Sequence, residues 1–342
     1  MNRREFFEQF PSIHLPPPRD KPSADAVLVR YGRRAMATTF EVVLPFSTPQ
    51  SAEAAESALD LIDRLEDQLT IYRDHSEISK LNARAGLEAT TVERNLFDLL
   101  VLARQIHNET DGAFDISTGA LIKAWGFHVR AGRVPSATER AEVLTRVGMQ
   151  HITFDPENGT AAFQRPGLEI NLGSIGKGYA VDRAIQTLWK EWHIACVLVH
   201  GGHSSVFALG GEPGRDAWPV ALSDPRDPQR TLGVFHLRDR ALGTSSATYQ
   251  HLLHEGRKLG HILDPRTGWP AEGMLGATVT APTAAVADAL ATAFFILGPG
   301  PAQAYCQTHP EIGAVLIREE PEPKLIVLGR AQREWASGGI LP

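Results

Sequence analysis

Thr283-Ala284-Ala285-Val286-Ala287-Asp288-Ala289-Leu290-Ala291-Thr292-Ala293-Phe294-Phe295-Ile296-Leu297 is a run that is apolar on nearly every side. A surface helix shows a single apolar stripe, whereas a helix apolar all round belongs inside a core. Thr283 stands where it can cap the start, and Gly298-Pro299-Gly300 marks the stop. The only polar interior positions are Asp288 and Thr292, four residues apart and therefore on one face. An ionised carboxylate buried alone is costly, so Asp288 needs a cation or strong hydrogen-bond donors. A hard divalent ion suits carboxylate, hydroxyl and carbonyl oxygens. The plainer alternative pairs Asp288 with an arginine and lets Thr292 bond its own helix backbone.

Around this helix the pattern alternates between strands and helices without a regular βαβ rhythm. Ala26–Tyr31 and Thr39–Leu44 have strand character, and apolar spacing from Pro49 to Leu69 predicts an amphipathic helix. A second helix is predicted from Val92 to His107, capped by Thr91, with Gly112 beyond its end. Short strands are predicted at His151–Phe154, Thr160–Phe163 and Leu168–Asn171, with Asn158-Gly159 turning between the first two. A helix follows over Gly176–Trp192, then several strands between Ala195 and Gly243, and finally strands at Ile312–Ile317 and Lys324–Leu328. The class is α+β, with mixed, largely antiparallel sheets and packed helices. One domain over 26–335 follows a proline-rich tail at 1–25, expected to be disordered.

Three further segments carry chemistry. In Asn171-Leu-Gly173-Ser174-Ile-Gly176-Lys177-Gly178-Tyr179-Ala-Val-Asp182, a glycine-rich turn enters a helix with Lys177 in its first turn. Open backbone N–H groups, the helix dipole and the lysine favour a phosphate there; the alternative is a helix entry with glycines for tight packing. It is not a Walker A loop, which needs Gly at the place of Asn171 and Ser or Thr at that of Gly178. His261-Ile262-Leu263-Asp264-Pro265-Arg266-Thr267-Gly268 reads as a tight loop in which His261 serves as a base, orients a ligand or is structural. Thr110-Asp111-Gly112-Ala113-Phe114-Asp115, leading to Trp125-Gly126-Phe127, either flanks a flat ligand or forms a buried loop with core aromatics. His200-Gly-Gly-His203 lacks a nearby third ligand and reads as a glycine turn in a sheet.

The 342 residues, 43% hydrophobic and 22% charged, are those of a soluble globular protein. A net charge of −6 argues against a nucleic-acid partner. Two cysteines, Cys196 and Cys306, are too few for a disulfide framework or a zinc site. No apolar run reaches the ~20 residues that span a bilayer. Arg3-Arg4 resembles the start of a twin-arginine export signal, but the apolar stretch such a signal needs is replaced by Glu8-Gln9-Phe10-Pro11, so a cytoplasmic location is expected.

Taken in order, these segments resemble the ApbE family of FAD:protein FMN transferases. The landmarks are Met36-Ala-Thr-Thr, Tyr72-Arg-Asp-His-Ser76-Glu-Ile-Ser-Lys-Leu-Asn82, Gly112-Ala-Phe-Asp, Gly173 to Asp182, Gly201-Gly202, Thr244-Ser245, His261 to Gly268 and Ala287 to Thr292. The resemblance implies Mg²⁺-dependent transfer of FMN from FAD to a threonine hydroxyl of an acceptor flavoprotein, releasing AMP. It implies metal ligation by Asp288, Thr292 and the Ser174 carbonyl. FAD contacts are implied for Met36, Tyr72, Ala113, Phe114, Asp115, Asn171, Lys177 and Ile262, with His261 activating the acceptor hydroxyl. With water as acceptor the same site is an FAD pyrophosphatase giving FMN and AMP; without turnover it is an FAD-binding protein. Departures from the family pattern are Asn171 for a frequent Asp, Ala291 for a second acid in some members, Ser246 for a common Gly, and no lipobox cysteine near the start. Ser245-Ser246-Ala247-Thr248 also resembles the end of the acceptor motif of client proteins, although Leu242 stands where that motif opens on an acid.

Overall fold

The computed structural model describes residues 27–129, 131–246, 251–322 and 324–337, apart from the side chains of His251 and Arg257. The tail at 1–25 and Thr248 lie outside the described residues. Strands β1 (Leu28–Ala35) and β2 (Thr38–Pro45) open the chain, followed by helices α1 (Ser51–Leu69) and α2 (Glu77–Arg84). Next come β3 (Thr90–Thr91), α3 (Arg94–Glu109), α4 (Gly119–Ala124), α5 (Ala137–Leu144), β4 (Ile152–Asp155), β5 (Thr160–Phe163) and α6 (Gly176–Lys190). Strands β6 (Val197–Gly201), β7 (Ser205–Leu209), β8 (Trp218–Asp224), β9 (Asp227–Leu237), β10 (Arg240–Ser246), β11 (His251–His254), β12 (Arg257–Gly260) and β13 (Met274–Ala281) lead to α7 (Ala284–Leu297). The chain closes with α8 (Pro299–Thr308), β14 (Gly313–Arg318), β15 (Lys324–Gly329), α9 (Ala331–Glu334) and β16 (Trp335–Ser337).

The central sheet has eight strands in the order β1-β2-β6-β7-β10-β13-β14-β15, and every neighbouring pair is antiparallel. Smaller sheets are β11-β12, β16-β9-β8 and β3-β5-β4, so the fold is α+β with antiparallel sheets, as the sequence pattern predicts. On one face a helix layer follows the strand order: α1 over β1 and β2, α6 over β6 and β7, α7 over β10 and β13. The opposite face packs on β8 and β9 through Val206, Leu222, Phe235, Leu242 and Val315. Covering on both faces explains why β7 and most of β14 are continuously buried rather than alternating.

Two local expectations are corrected. Helix α3 is capped by Glu93, whose carboxylate accepts from Leu96 N at 3.0 Å, because Thr91 is taken up in β3 opposite Thr160. Leu168–Asn171 is not a strand. Its backbone is held instead by the Asn82 amide, which donates to Ile170 O at 2.9 Å and accepts from Ile170 N at 2.8 Å, with one isolated bridge from Glu169 to Thr118.

Candidate active site

Helices α6 and α7 run antiparallel and cap each other. Asp182, in the second turn of α6, accepts from Ala284 N at 2.7 Å and Ala285 N at 2.9 Å at the start of α7. In return Asp288, in the second turn of α7, accepts from Gly178 N at 2.8 Å in the first turn of α6. A Cβ at residue 178 would lie far inside van der Waals contact with Ala284 O, so glycine is what lets the helices come this close. Gly243 of β10 does the same beneath α7, where a Cβ would overlap the backbone at Ala287 and Asp288. Thr283 caps α7 as predicted, accepting from Val286 N at 3.3 Å.

These contacts put Asp288 at the wall of a cleft of about 730 Å³. Asp288, Thr292, Ser174, Lys177, His261, Met36, Ala113, Asp115, Asn171 and Ile262 all line it. Two residues named by the resemblance do not. Phe114 is fully buried in the main core, and Tyr72 lies on an exposed loop, its hydroxyl donating to His128 O at 3.1 Å. Trp125 and Phe127 are core aromatics rather than ligand walls: the rings stack at 6.0 Å, and Trp125 Nε1 donates to Gly268 O at 2.9 Å.

Among the described residues no arginine pairs with Asp288. Its Oδ2 accepts from Gly178 N and from Ser205 Oγ, the latter at 2.7 Å, and Oδ1 has no protein donor among the described residues. Burial pushes the carboxyl up to about 6, while nearby Lys177, the Ser205 hydroxyl and the Gly178 amide pull it back. Thr292 Oγ1 bonds Asp288 O at 3.3 Å and shares a hydrogen bond of 3.0 Å with Ser245 Oγ. The Asp288 carboxylate, the Thr292 and Ser245 hydroxyls and the Ser174 backbone all belong to residues that line the same cleft, and such oxygen donors would suit Mg²⁺ rather than a softer metal. Among the described residues there is no cluster of three or more His, Cys, Asp or Glu side chains, so a metal here would rest on a single carboxylate.

The helix entry differs from expectation in one respect. The amides of Gly173, Gly176 and Gly178 are already bonded, to Asn171 Oδ1 at 2.8 Å, Leu172 O at 2.7 Å and Asp288 Oδ2 at 2.8 Å. Attraction for a phosphate therefore rests on Lys177 and the helix dipole more than on open glycine N–H groups.

The remaining walls are held by local hydrogen bonds. Met36 and Ala37 turn between β1 and β2 with φ of 48° and 60°, a left-handed conformation that costs non-glycine residues about 1–2 kcal/mol each. Such strain is retained where surroundings over-determine it, and here the adjacent Thr39 O accepts from Gly202 N at 2.9 Å. Asp115 is fully engaged: Oδ1 accepts from Ser117 N at 2.7 Å and Ser117 Oγ at 2.6 Å, while Oδ2 accepts from Met149 N at 3.1 Å and faces His107 Nδ1 at 3.2 Å. The loop after His261 is cross-tied by Ala271 N to Ile262 O and Gly268 N to Asp264 O, both at 2.8 Å, and Arg266 grips Asp264 at 2.9 and 2.8 Å. Sequence reasoning did not single out Ser205, Asp182 or Ser245 as site residues. Asp182 and Ser245 stood only within motifs, and the bonds of Ser205 and Asp182 to α7 have no local signature.

Fold and cleft together define an α+β protein whose helix layer offers a buried carboxylate and a lysine to one cleft. The profile of the ApbE family matches residues 36–316. The FAD:protein FMN transferase of Escherichia coli (strain K12) is 29% identical over 286 residues, covering 82% of this chain and 81% of that protein. The FAD:protein FMN transferase of Treponema pallidum (strain Nichols) is 32% identical over 303 residues, covering 84% and 80%. Among solved structures, the ApbE protein of Thermotoga maritima superposes with a TM-score of 0.81 at 27% identity, over 90% of this chain and 98% of that one. The flavin transferase ApbE of Vibrio cholerae, at 24% identity, shares the fold with a TM-score of 0.79 over 91% and 100% of the two chains. The chain belongs to the ApbE family, and it is an enzyme, a transferase.

Proposed function

We propose that this chain transfers FMN from FAD to a threonine hydroxyl of an acceptor flavoprotein, releasing AMP, with Mg²⁺ held by Asp288, Thr292 and the Ser174 carbonyl. The observation that carries the reading is the meeting of Asp288 and Lys177 at one cleft, through the bond from Gly178 N to Asp288. The relatives' names supply the substrate, and the donor set around Asp288 supplies a site that fits its charged pyrophosphate. Mg²⁺ bound there would neutralise pyrophosphate charge and favour departure of AMP.

The chain's own residues do the rest. Lys177 sets a positive charge at the start of α6, on the side of the cleft where Asp288 lies. Met36, Ala113, Asn171 and Ile262 wall the cavity and orient the dinucleotide. The acceptor hydroxyl oxygen attacks the FMN-side phosphorus, a new P–O ester bond forms, and the P–O bond to AMP breaks with its electron pair leaving on AMP. His261 takes the hydroxyl proton. No enzyme nucleophile is required, so catalysis rests on positioning and charge.

The test is to mix the purified chain with FAD, Mg²⁺ and a peptide carrying the Ser/Thr-Gly/Ser-Ala-Thr motif of ApbE clients, then weigh the peptide. Covalent FMN on its threonine is the expected result. Free FMN with an unmodified peptide would instead assign the site to hydrolysis, and unchanged FAD would contradict both.

A further inference from the structure

The Asp288 carboxylate is asymmetric, and the cause lies on the neighbouring strand. Ser205 opens β7 and is fully buried. In the sheet it stands directly between Gly201 of β6 and Gly243 of β10. Along that row beneath α7, the two flanking strands therefore contribute no side chain. The hydroxyl proton of Ser205 goes to Asp288 Oδ2 at 2.7 Å, across 83 residues of sequence. The Gly178 amide reaches the same oxygen at 2.8 Å.

Two donors converging on one oxygen fix the rotation of the carboxylate plane. Oδ2 is saturated by protein, and Oδ1 is left for whatever enters the cleft. With only the Gly178 amide in place, the plane would turn about that single bond and the charge would lose one of its two hydrogen-bond donors.

We infer that Ser205 is a positioning residue, which orients the Asp288 carboxylate so that Oδ1 is preset for the divalent ion. The inference rests on the proposed metal role of Asp288. Partners that orient a metal ligand commonly contribute 10–100-fold to affinity, and a preset ligand loses less freedom when the ion binds.

The experiment is a titration of Mn²⁺ into the full chain with FAD present, with free Mn²⁺ read from its EPR signal. Wild type is compared with Ser205→Ala, Ser205→Thr, Ser205→Val and Asp288→Ala, each first melted in metal-free buffer to establish that it folds. The Thr and Val variants have nearly the same shape, and only Thr can donate. Ser205→Ala and Ser205→Val are expected to bind about 10–100-fold more weakly, with Ser205→Thr tighter than Ser205→Val. In the transfer assay the half-saturating Mg²⁺ concentration should rise for Ser205→Ala, while the rate at saturating Mg²⁺ stays near wild type. Wild-type affinity in Ser205→Ala, or equal affinity in the Thr and Val variants, while Asp288→Ala binds no Mn²⁺, would overturn the role of Ser205 alone. Equal uptake by wild type and Asp288→Ala would remove the metal role of Asp288 and the inference with it.

Discussion

Asp288 and Asp182 are two buried carboxylates treated in different ways. Asp288 has one oxygen with no protein donor among the described residues, whereas both oxygens of Asp182 are committed to the N-terminal amides of α7. Asp288→Ala should lower flavin transfer by at least ~10²-fold, measured as kcat/KM at saturating Mg²⁺ in a variant that still melts cooperatively. Burial also pushes the Asp182 carboxyl up to about 7, against the two amides that pull it down. Unfolded, an aspartate holds its proton only below about 4. Between those values the folded chain binds more protons than the unfolded chain, so this contribution to stability is present in full at low pH and lost as pH rises through about 7. The difference amounts to a few kcal/mol. In metal-free buffer, Asp182→Asn should therefore show a shallower fall in Tm between pH 5 and pH 8 than wild type. Parallel curves would contradict the assignment.

The α6–α7 pair is the element on which the cleft depends, and the glycine at its crossing makes a specific demand. Gly178→Ala forces the helices apart at Ala284 O, and overpacking of this kind costs about 1–3 kcal/mol. Because the same residue donates to Asp288, chemical denaturation should show that loss together with weaker Mn²⁺ binding. Thr283→Ala removes a cap worth about 1 kcal/mol and leaves the Asp182 bonds in place, so it should lower stability while transfer at saturating Mg²⁺ persists. Helix α7 could be read from its composition because nothing but burial accounts for so apolar a run. The neighbouring α8 could not, since Gly298-Pro299-Gly300 reads as a stop and Pro299 in fact begins a new helix. Leu168–Asn171 misleads for a related reason. Leu168 and Ile170 are buried like strand residues, but instead of a strand ladder this backbone has the side chain of Asn82, 88 residues away, at Ile170 and single backbone bonds at Glu169 and Asn171.

In the molecule as a whole, one antiparallel sheet lies between a helix layer and the β8–β9 meander, and the cleft is walled by residues from almost every part of the chain. Residue types, motif order and the resemblance together named Asp288, Thr292, Lys177 and His261, because buried charge and glycine-flanked lysine are local signals. They did not reveal Ser205 or the role of Asp182, whose partners lie 83 and 102 residues away and are created only by strand register and helix crossing. Aromatic composition likewise could not tell Tyr72, at 70% exposure, from Phe114, at 0%, since both lie in loops next to helices. The most direct measurement is an anomalous-difference map from crystals of the full chain grown with FAD and Mn²⁺. A single peak within about 2.5 Å of Asp288 Oδ1 and Thr292 Oγ1, between those atoms and the FAD pyrophosphate, is the predicted result. FAD bound in the cleft with no peak at Asp288, or a peak elsewhere in the molecule, would contradict it.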